Sequence, residues 1–116
     1  MTRELAEARG RRAELLAAWW LRLKGWRILA HRARVPGGEV DLVARRGRTI
    51  AFVEVKQRGN ADAAAWALDE YRLRRVAVAA QRLATRYART GDTVRIDAMF
   101  IVPGSFPRHM PNVWHG

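Results

Sequence analysis

The sequence predicts one α/β domain in which a central mixed sheet is flanked by helices, with elements in the order α-β-β-β-α-β. Three observations carry this. The chain has 116 residues, enough for one hydrophobic core and too short for two ordinary domains. Its hydrophobic fraction of 49% and its five tryptophans belong to a chain that folds. The apolar residues switch between helical and alternating spacing along the chain, and each switch marks a change of element.

Residues 3–24 place Ala13, Leu16, Ala17, Trp20 and Leu23 at helical spacing, and Gly25 follows as the stop. Residues 26–34 put Trp26, Ile28 and Ala30 on one alternating face before Pro36-Gly37-Gly38 breaks the run. Residues 39–44 and 49–57 read as two strands joined by Arg45-Arg46-Gly47-Arg48, an antiparallel hairpin. Asp62 is the expected N-cap of a long second helix reaching about residue 89. Its buried stripe is Leu73, Val76, Ala77, Ala80, Leu83 and Tyr87, and Gly91 ends it. Residues 93–102 alternate Val94, Ile96, Ala98, Phe100 and Val102 with Arg95, Asp97 and Met99, a strand open to the core on one side. Prolines at 103, 107 and 111 make the tail, 103–116, partly irregular, with a short strand at 109–114. The first three strands form a meander, and the long helix after them permits a parallel crossover to the fourth.

Cysteine is absent, which excludes disulfides, thiolate metal sites and cysteine catalysis. The apolar run at 15–21 is bounded by Glu14 and Arg22 and falls far short of a membrane span. Glu4, Glu7 and Glu14 interrupt any secretory leader, so a cytoplasmic protein with no membrane partner is expected. Basic residues number 22 against 11 acidic ones, a net charge of +11, and a surplus of that size suits a polyanion, nucleic acid first. Only Lys24 and Lys56 are lysines. A genomic preference for arginine is the competing reading of the surplus, and the scarcity of lysine makes Lys56 stand out.

Strand alternation turns Glu39 and Asp41 to one face and groups Glu54 with Lys56 on one face of the next strand. A turn on Arg46-Gly47 sets Glu39 opposite Glu54 with Asp41 diagonal to it, whereas a turn one residue later sets Asp41 directly opposite Glu54. Either register gathers three carboxylates and Lys56. Like charges so crowded call for a cation, and Mg²⁺ or Mn²⁺ suits such oxygen donors. Asp41, Glu54 and Lys56 then form a candidate phosphodiester-cleaving site, with Lys56 acting on the phosphate or the water. The structural alternative is a solvated face on which the acids are ordinary ion pairs. Arg72, Arg75, Arg82, Arg86 and Arg89 recur along the second helix as a basic flank able to follow a phosphate backbone. Trp19 and Trp66 are candidates for base stacking or for the core. His31, His109 and His115 lack ligand spacing, and no nucleophilic serine or Gly-rich phosphate loop is present.

The segments Gly38-Glu39-Val40-Asp41-Leu42-Val43 and Phe52-Val53-Glu54-Val55-Lys56-Gln57-Arg58 resemble the signature runs of the YraN-like family of bacterial proteins. Gly10, Glu14, Ala17, Leu21, Gly25, Trp26, Ile28 and Leu29 upstream, and Arg95-Ile96-Asp97 and residues 109–114 downstream, fall at the same spacing. That family is similar to the restriction-endonuclease-like fold and to archaeal Holliday junction resolvases. The resemblance implies metal-ligand duty for Asp41 and Glu54 with the Val55 carbonyl, and a metal or water contact for Glu14. Independently of the resemblance, the basic flank and the charge surplus make Arg72, Arg75 and Arg82, with Arg58 after the Glu-x-Lys run, the candidate nucleic-acid contacts, DNA first. Two departures stand out: Arg32 replaces a usual Asn, and Arg72 replaces a usual Lys. Arg72 still suits a phosphate, while Arg32 gives up an amide's two-way hydrogen bonding. Cutting two opposed strands needs two sites, so a homodimer is a further expectation. Three functions follow: a Mg²⁺-dependent nuclease, a non-catalytic nucleic-acid-binding module, and a protein interaction adaptor with a basic face.

Overall fold

The computed structural model describes residues 2–59 and 68–115. Helix α1 (Arg3–Leu23) leads into strands β1 (Arg27–Val35), β2 (Gly38–Arg46) and β3 (Thr49–Gln57). Helix α2 (Glu70–Tyr87) then precedes β4 (Thr93–Ile101) and β5 (Arg108–Met110). The sheet order is β1-β2-β3-β4-β5. The first three strands are an antiparallel meander, β4 joins β3 in parallel, and β5 returns antiparallel along β4. This is the mixed α/β architecture that the periodicity predicts, including the parallel crossover through α2.

Each sheet face carries one helix. Leu42, Ala44, Ala51, Val53 and Met99 pack with Ala13, Ala17, Ala18 and Leu21 of α1. On the other face Val43, Ile50, Phe52 and Ile96 pack with Leu73, Val76, Ala79, Ala80 and Leu83 of α2. Because both faces are covered, the middle of the sheet is apolar without alternation, as buried parallel pairs require. The expectation that β4 meets the core on one side only is thereby corrected. Asp97 and Met99, its supposed outward residues, are fully buried.

The stripe assigned to α1 also shifts. Leu16 and Leu23 are 49% and 59% exposed, and Trp19 is exposed with them. The alanines take the sheet side, where small side chains let the helix backbone come close, and Leu21 fills the remaining space. In β1 a register irregularity between Ile28 and Ala30 moves Ala30 to the α2 face while Ile28 stays on the α1 face, so the predicted single face breaks there.

Asp69 caps α2, accepting from the N–H groups of Tyr71 at 2.9 Å and Arg72 at 3.4 Å. The helix thus begins later than the sequence suggests; Asp62 and Trp66 lie outside the described residues. The tail strand β5 is shorter than expected because Pro111 has no N–H to extend the ladder. Asn112 then takes a left-handed φ of 56°, and the Val113 N–H returns to the Ile96 carbonyl at 2.8 Å. Among the described residues no helix is long and apolar enough to cross a membrane.

Candidate functional site

The β2–β3 hairpin turns on Gly47-Arg48, with Arg46 opposite Thr49 and Leu42 opposite Val53. This is the later of the two registers considered, and one further step sets Asp41 opposite Glu54. At that step the side chain of Asp41 takes over from the ladder: its Oδ2 accepts the Val55 N–H at 2.7 Å. Arg32, facing this point from β1, has a left-handed φ of 50°. The strands part here, and the charged residues occupy the gap.

Helix α2 closes over the opening because Gly38 lets it. A Cβ on Gly38 would lie 2.5 Å from the Arg75 carbonyl oxygen and 2.7 Å from the Ala79 nitrogen, well inside van der Waals contact. The first turns of α2 therefore lie close to the start of β2, bringing Arg72 and Arg75 to the carboxylates.

Glu54 is 2% exposed and Lys56 8%, unusual burial for either residue type. One carboxylate oxygen of Glu54 accepts from Arg72 Nε at 3.1 Å and lies 3.0 Å from Arg72 Nη2 and 3.3 Å from Lys56 Nζ. Burying this group is tolerable only because two cations meet it. Among the described residues, Asp41 has no such cation among its hydrogen bonds. Burial, and next the Glu54 charge, push its carboxyl up from 3.8 to about 7, although the Val55 N–H opposes the shift. Glu14 reaches in from α1 and accepts from Arg32 Nε at 2.7 Å, and this bond raises the Arg32 pKa above its ordinary value.

Glu54, Arg72 and Arg75 line a cleft of about 290 Å³ together with Glu39, Asp69 and Tyr71. Asp41 lines a smaller adjoining recess with Arg32, Arg34, Glu39 and Val40. Glu39 stands between the two, 3.8 Å from Arg34 and 3.9 Å from Arg75. Among the described residues no three acidic or imidazole side chains are gathered as a ready ligand shell. Arg58 lies at the end of β3, donating to the Gln57 carbonyl at 2.9 Å and resting over the Phe100 ring. Arg82 is exposed further along α2.

The donor chemistry nevertheless suits a hard divalent cation. Asp41 and Glu54 are carboxylates on adjacent strands, and a positive charge between them would relieve the repulsion that helps raise the Asp41 pKa. The Val55 carbonyl and Glu14 are further oxygen donors of the right kind.

The sequence profile of the Uncharacterised protein family UPF0102, the YraN family, matches residues 13–101. The chain belongs to this family. A UPF0102 protein of Sphingopyxis alaskensis is 64% identical over 114 residues, covering 98% of each chain. One from Rhizorhabdus wittichii is 59% identical over 114 residues, 98% of this chain and 97% of the relative. One from Caulobacter vibrioides is 46% identical over 108 residues, 92% and 86% of the two chains. The matched span contains Glu14, the β2–β3 hairpin, α2 and β4, so the whole cluster lies within it.

Two features escaped the sequence reading. The first is the pairing of Glu14 with Arg32, which no spacing rule connects. The second is Tyr71, hidden because a helix start at Asp62 would place Tyr71 in its middle instead of at the mouth of the cleft.

Proposed function

We propose that this UPF0102 member has a restriction-endonuclease-like fold and is a Mg²⁺- or Mn²⁺-dependent nuclease acting on nucleic acid, with DNA as the first substrate to test. The observation that supports this best is the buried Glu54–Lys56 pair beside Asp41 where the hairpin parts. A protein spends stability on buried charge where chemistry needs it, and perturbed carboxyls cluster at such places. Asp41 and Glu54, with the Val55 carbonyl and Glu14, are the groups that would hold the ion. When bound there, the metal supplies Lewis acidity toward a phosphoryl oxygen and a lowered pKa for water.

The remaining work falls to this chain's own residues. Lys56, fixed by Glu54, presents a compact ammonium to the charge that develops on the attacked phosphoryl group. Arg72, whose side chain is 46% exposed, turns its free edge outward toward a phosphate. Arg75 and Arg82 continue the positive track along α2, whereas Arg58 lines a separate hollow with Gln57, Gly59 and Pro103. Burial around Asp41 and Glu54 strengthens each of these interactions by limiting solvent.

One observation favours a second reading, a nucleic-acid-binding module without chemistry: Arg72 and Lys56 already satisfy Glu54. Cleavage assays on labelled duplex, single-stranded, flap and four-way junction DNA, with Mg²⁺ or Mn²⁺, separate the two. Metal-dependent cutting that disappears in Glu54→Gln and Lys56→Ala, with both variants folded by circular dichroism, is the expected result. Cutting that persists unchanged in Glu54→Gln would remove the proposed site, and binding without cutting would establish the module.

A further inference from the structure

Tyr71 is 65% exposed, although a tyrosine ring is large enough to contribute to a core. It sits at the mouth of the cleft of about 290 Å³ that Glu54, Arg72 and Arg75 line, near the small end of the usual range for ligand clefts, about 300–1,000 Å³. The rest of the lining is Glu39 and Asp69. Arginines alone would suit a bare phosphate, but carboxylates beside them would repel it. A flat aromatic face, cations and hydrogen-bond-accepting carboxylates together suit a nucleotide: a base to stack, amino groups to donate to carboxylates, and a phosphate for the arginines.

We infer that this cleft receives an unpaired nucleobase stacked on Tyr71, so that single-stranded or frayed nucleic acid is preferred over intact duplex. The inference rests on the nuclease reading of the adjoining Asp41–Glu54–Lys56 cluster and specifies its substrate class. In a paired duplex both faces of every base are stacked and its pairing edge is occupied, so a base reaches Tyr71 only after unstacking. A base held there would leave its own phosphate near Arg72 and Arg75. Glu39, only loosely held by arginines at 3.8 and 3.9 Å, is available to accept from an amino group.

The test is fluorescence anisotropy with a labelled 12-mer single strand and its blunt duplex, in EDTA so that no cutting occurs. Tyr71→Ala should weaken single-strand binding about tenfold, the loss of one stacked base, and duplex binding less than about twofold. Tyr71→Phe keeps the ring and should bind like the wild type. Tyr71→Leu keeps apolar bulk without an aromatic face and should resemble Tyr71→Ala. An exposed side chain is a weak contributor to folding, and matching melting temperatures check this for all three. Equal losses on both substrates, no loss on either, or no binding by the wild type would overturn the inference. The nuclease reading is judged separately, by Glu54→Gln in the cleavage assay. A ring-dependent single-strand preference with no metal-dependent cutting would retain the Tyr71 site and remove the catalytic one.

Discussion

Asp41 shows how a single carboxyl can oppose the stability of the fold that positions it. Its folded pKa of about 7 lies above its ordinary value of 3.8, so the folded state binds the proton more tightly than the unfolded chain does. The protonated carboxyl stabilises the fold below about pH 4, and this contribution is lost as pH rises towards 7. Asn mimics the protonated shape and can still accept the Val55 N–H. In EDTA, Asp41→Asn should therefore match the wild type near pH 4 and exceed it at pH 8. The expected gain is about 2–4 kcal/mol, nearer the low end because the carboxyl keeps some contact with water. Urea unfolding at the two pH values measures it. Mg²⁺ should narrow the gap at pH 8 by stabilising only the wild type; a gap that is absent, or that is the same at both pH values, would show that Asp41 is not under this strain. The identities of Asp41, Glu54 and Lys56 were legible from strand alternation, which needs only local periodicity. Their partners were not: the Arg32 contact with Glu14 and the Arg72 contact with Glu54 depend on how separate elements cross.

Among the elements, β4 carries the largest departure from its sequence pattern, and Asp97 is the reason. Its carboxylate is fully buried yet accepts from His109 at 2.7 Å, from the Asn112 N–H at 2.9 Å and from Arg95 Nε at 3.0 Å. Burial alone would raise its pKa, but His109, then the Asn112 N–H and Arg95, outweigh burial and hold it below the ordinary value. These bonds fasten β5 and the turn after it to β4. In a single sequence Asp97 reads as an outward polar position, since its partners lie in a proline-rich tail that periodicity cannot place. Asp97→Asn should cost about 3–5 kcal/mol, the usual penalty for breaking a buried charge pair. Because the folded pKa is depressed, the stability Asp97 confers is present above about pH 4 and lost as pH falls below it, so the difference between variant and wild type should shrink in acid. A second test at this scale concerns the seat of α2. Gly38→Ala must push the backbone of Arg75 and Ala79 away from β2, with an expected loss of about 1–3 kcal/mol. Activity should fall further than stability implies, since Arg72 moves with the helix; a variant that melts like the wild type would show that the close approach is not needed.

At the scale of the molecule, a net charge of +11 has two readings, a general arginine preference or a surface shaped for a polyanion. The fold bears on the choice through placement. Arg72 and Arg75 line the cleft with partly exposed side chains, 46% and 36%, beside Glu54 and Glu39, Arg82 follows them along α2, and other arginines are held in more buried ion pairs. Arg45, for instance, is held by Asp92 at 2.5 Å, and Arg95 by Asp97 at 3.0 Å. Engaged arginines release few counterions when nucleic acid binds, whereas arginines that meet phosphates release about one each and steepen the salt dependence accordingly. The slope of log affinity against log salt therefore counts the arginines that serve binding. For Arg75→Gln/Arg82→Gln the slope should be shallower by about 1–2 than for the wild type, on single strand and duplex alike. Replacing exposed Arg27 and Arg48 by Gln removes the same formal charge from the far end of the sheet, where Arg27 lies opposite Arg45 and Arg48 lies in the hairpin turn, about 20 Å along β3 from Glu54. That double variant should leave the slope nearly unchanged, because exposed charges beyond about one Debye length, 8–10 Å, from the phosphates are screened. Equal slopes for the two double variants would mean that affinity follows total charge, and α2 would lose its claim to be the binding face.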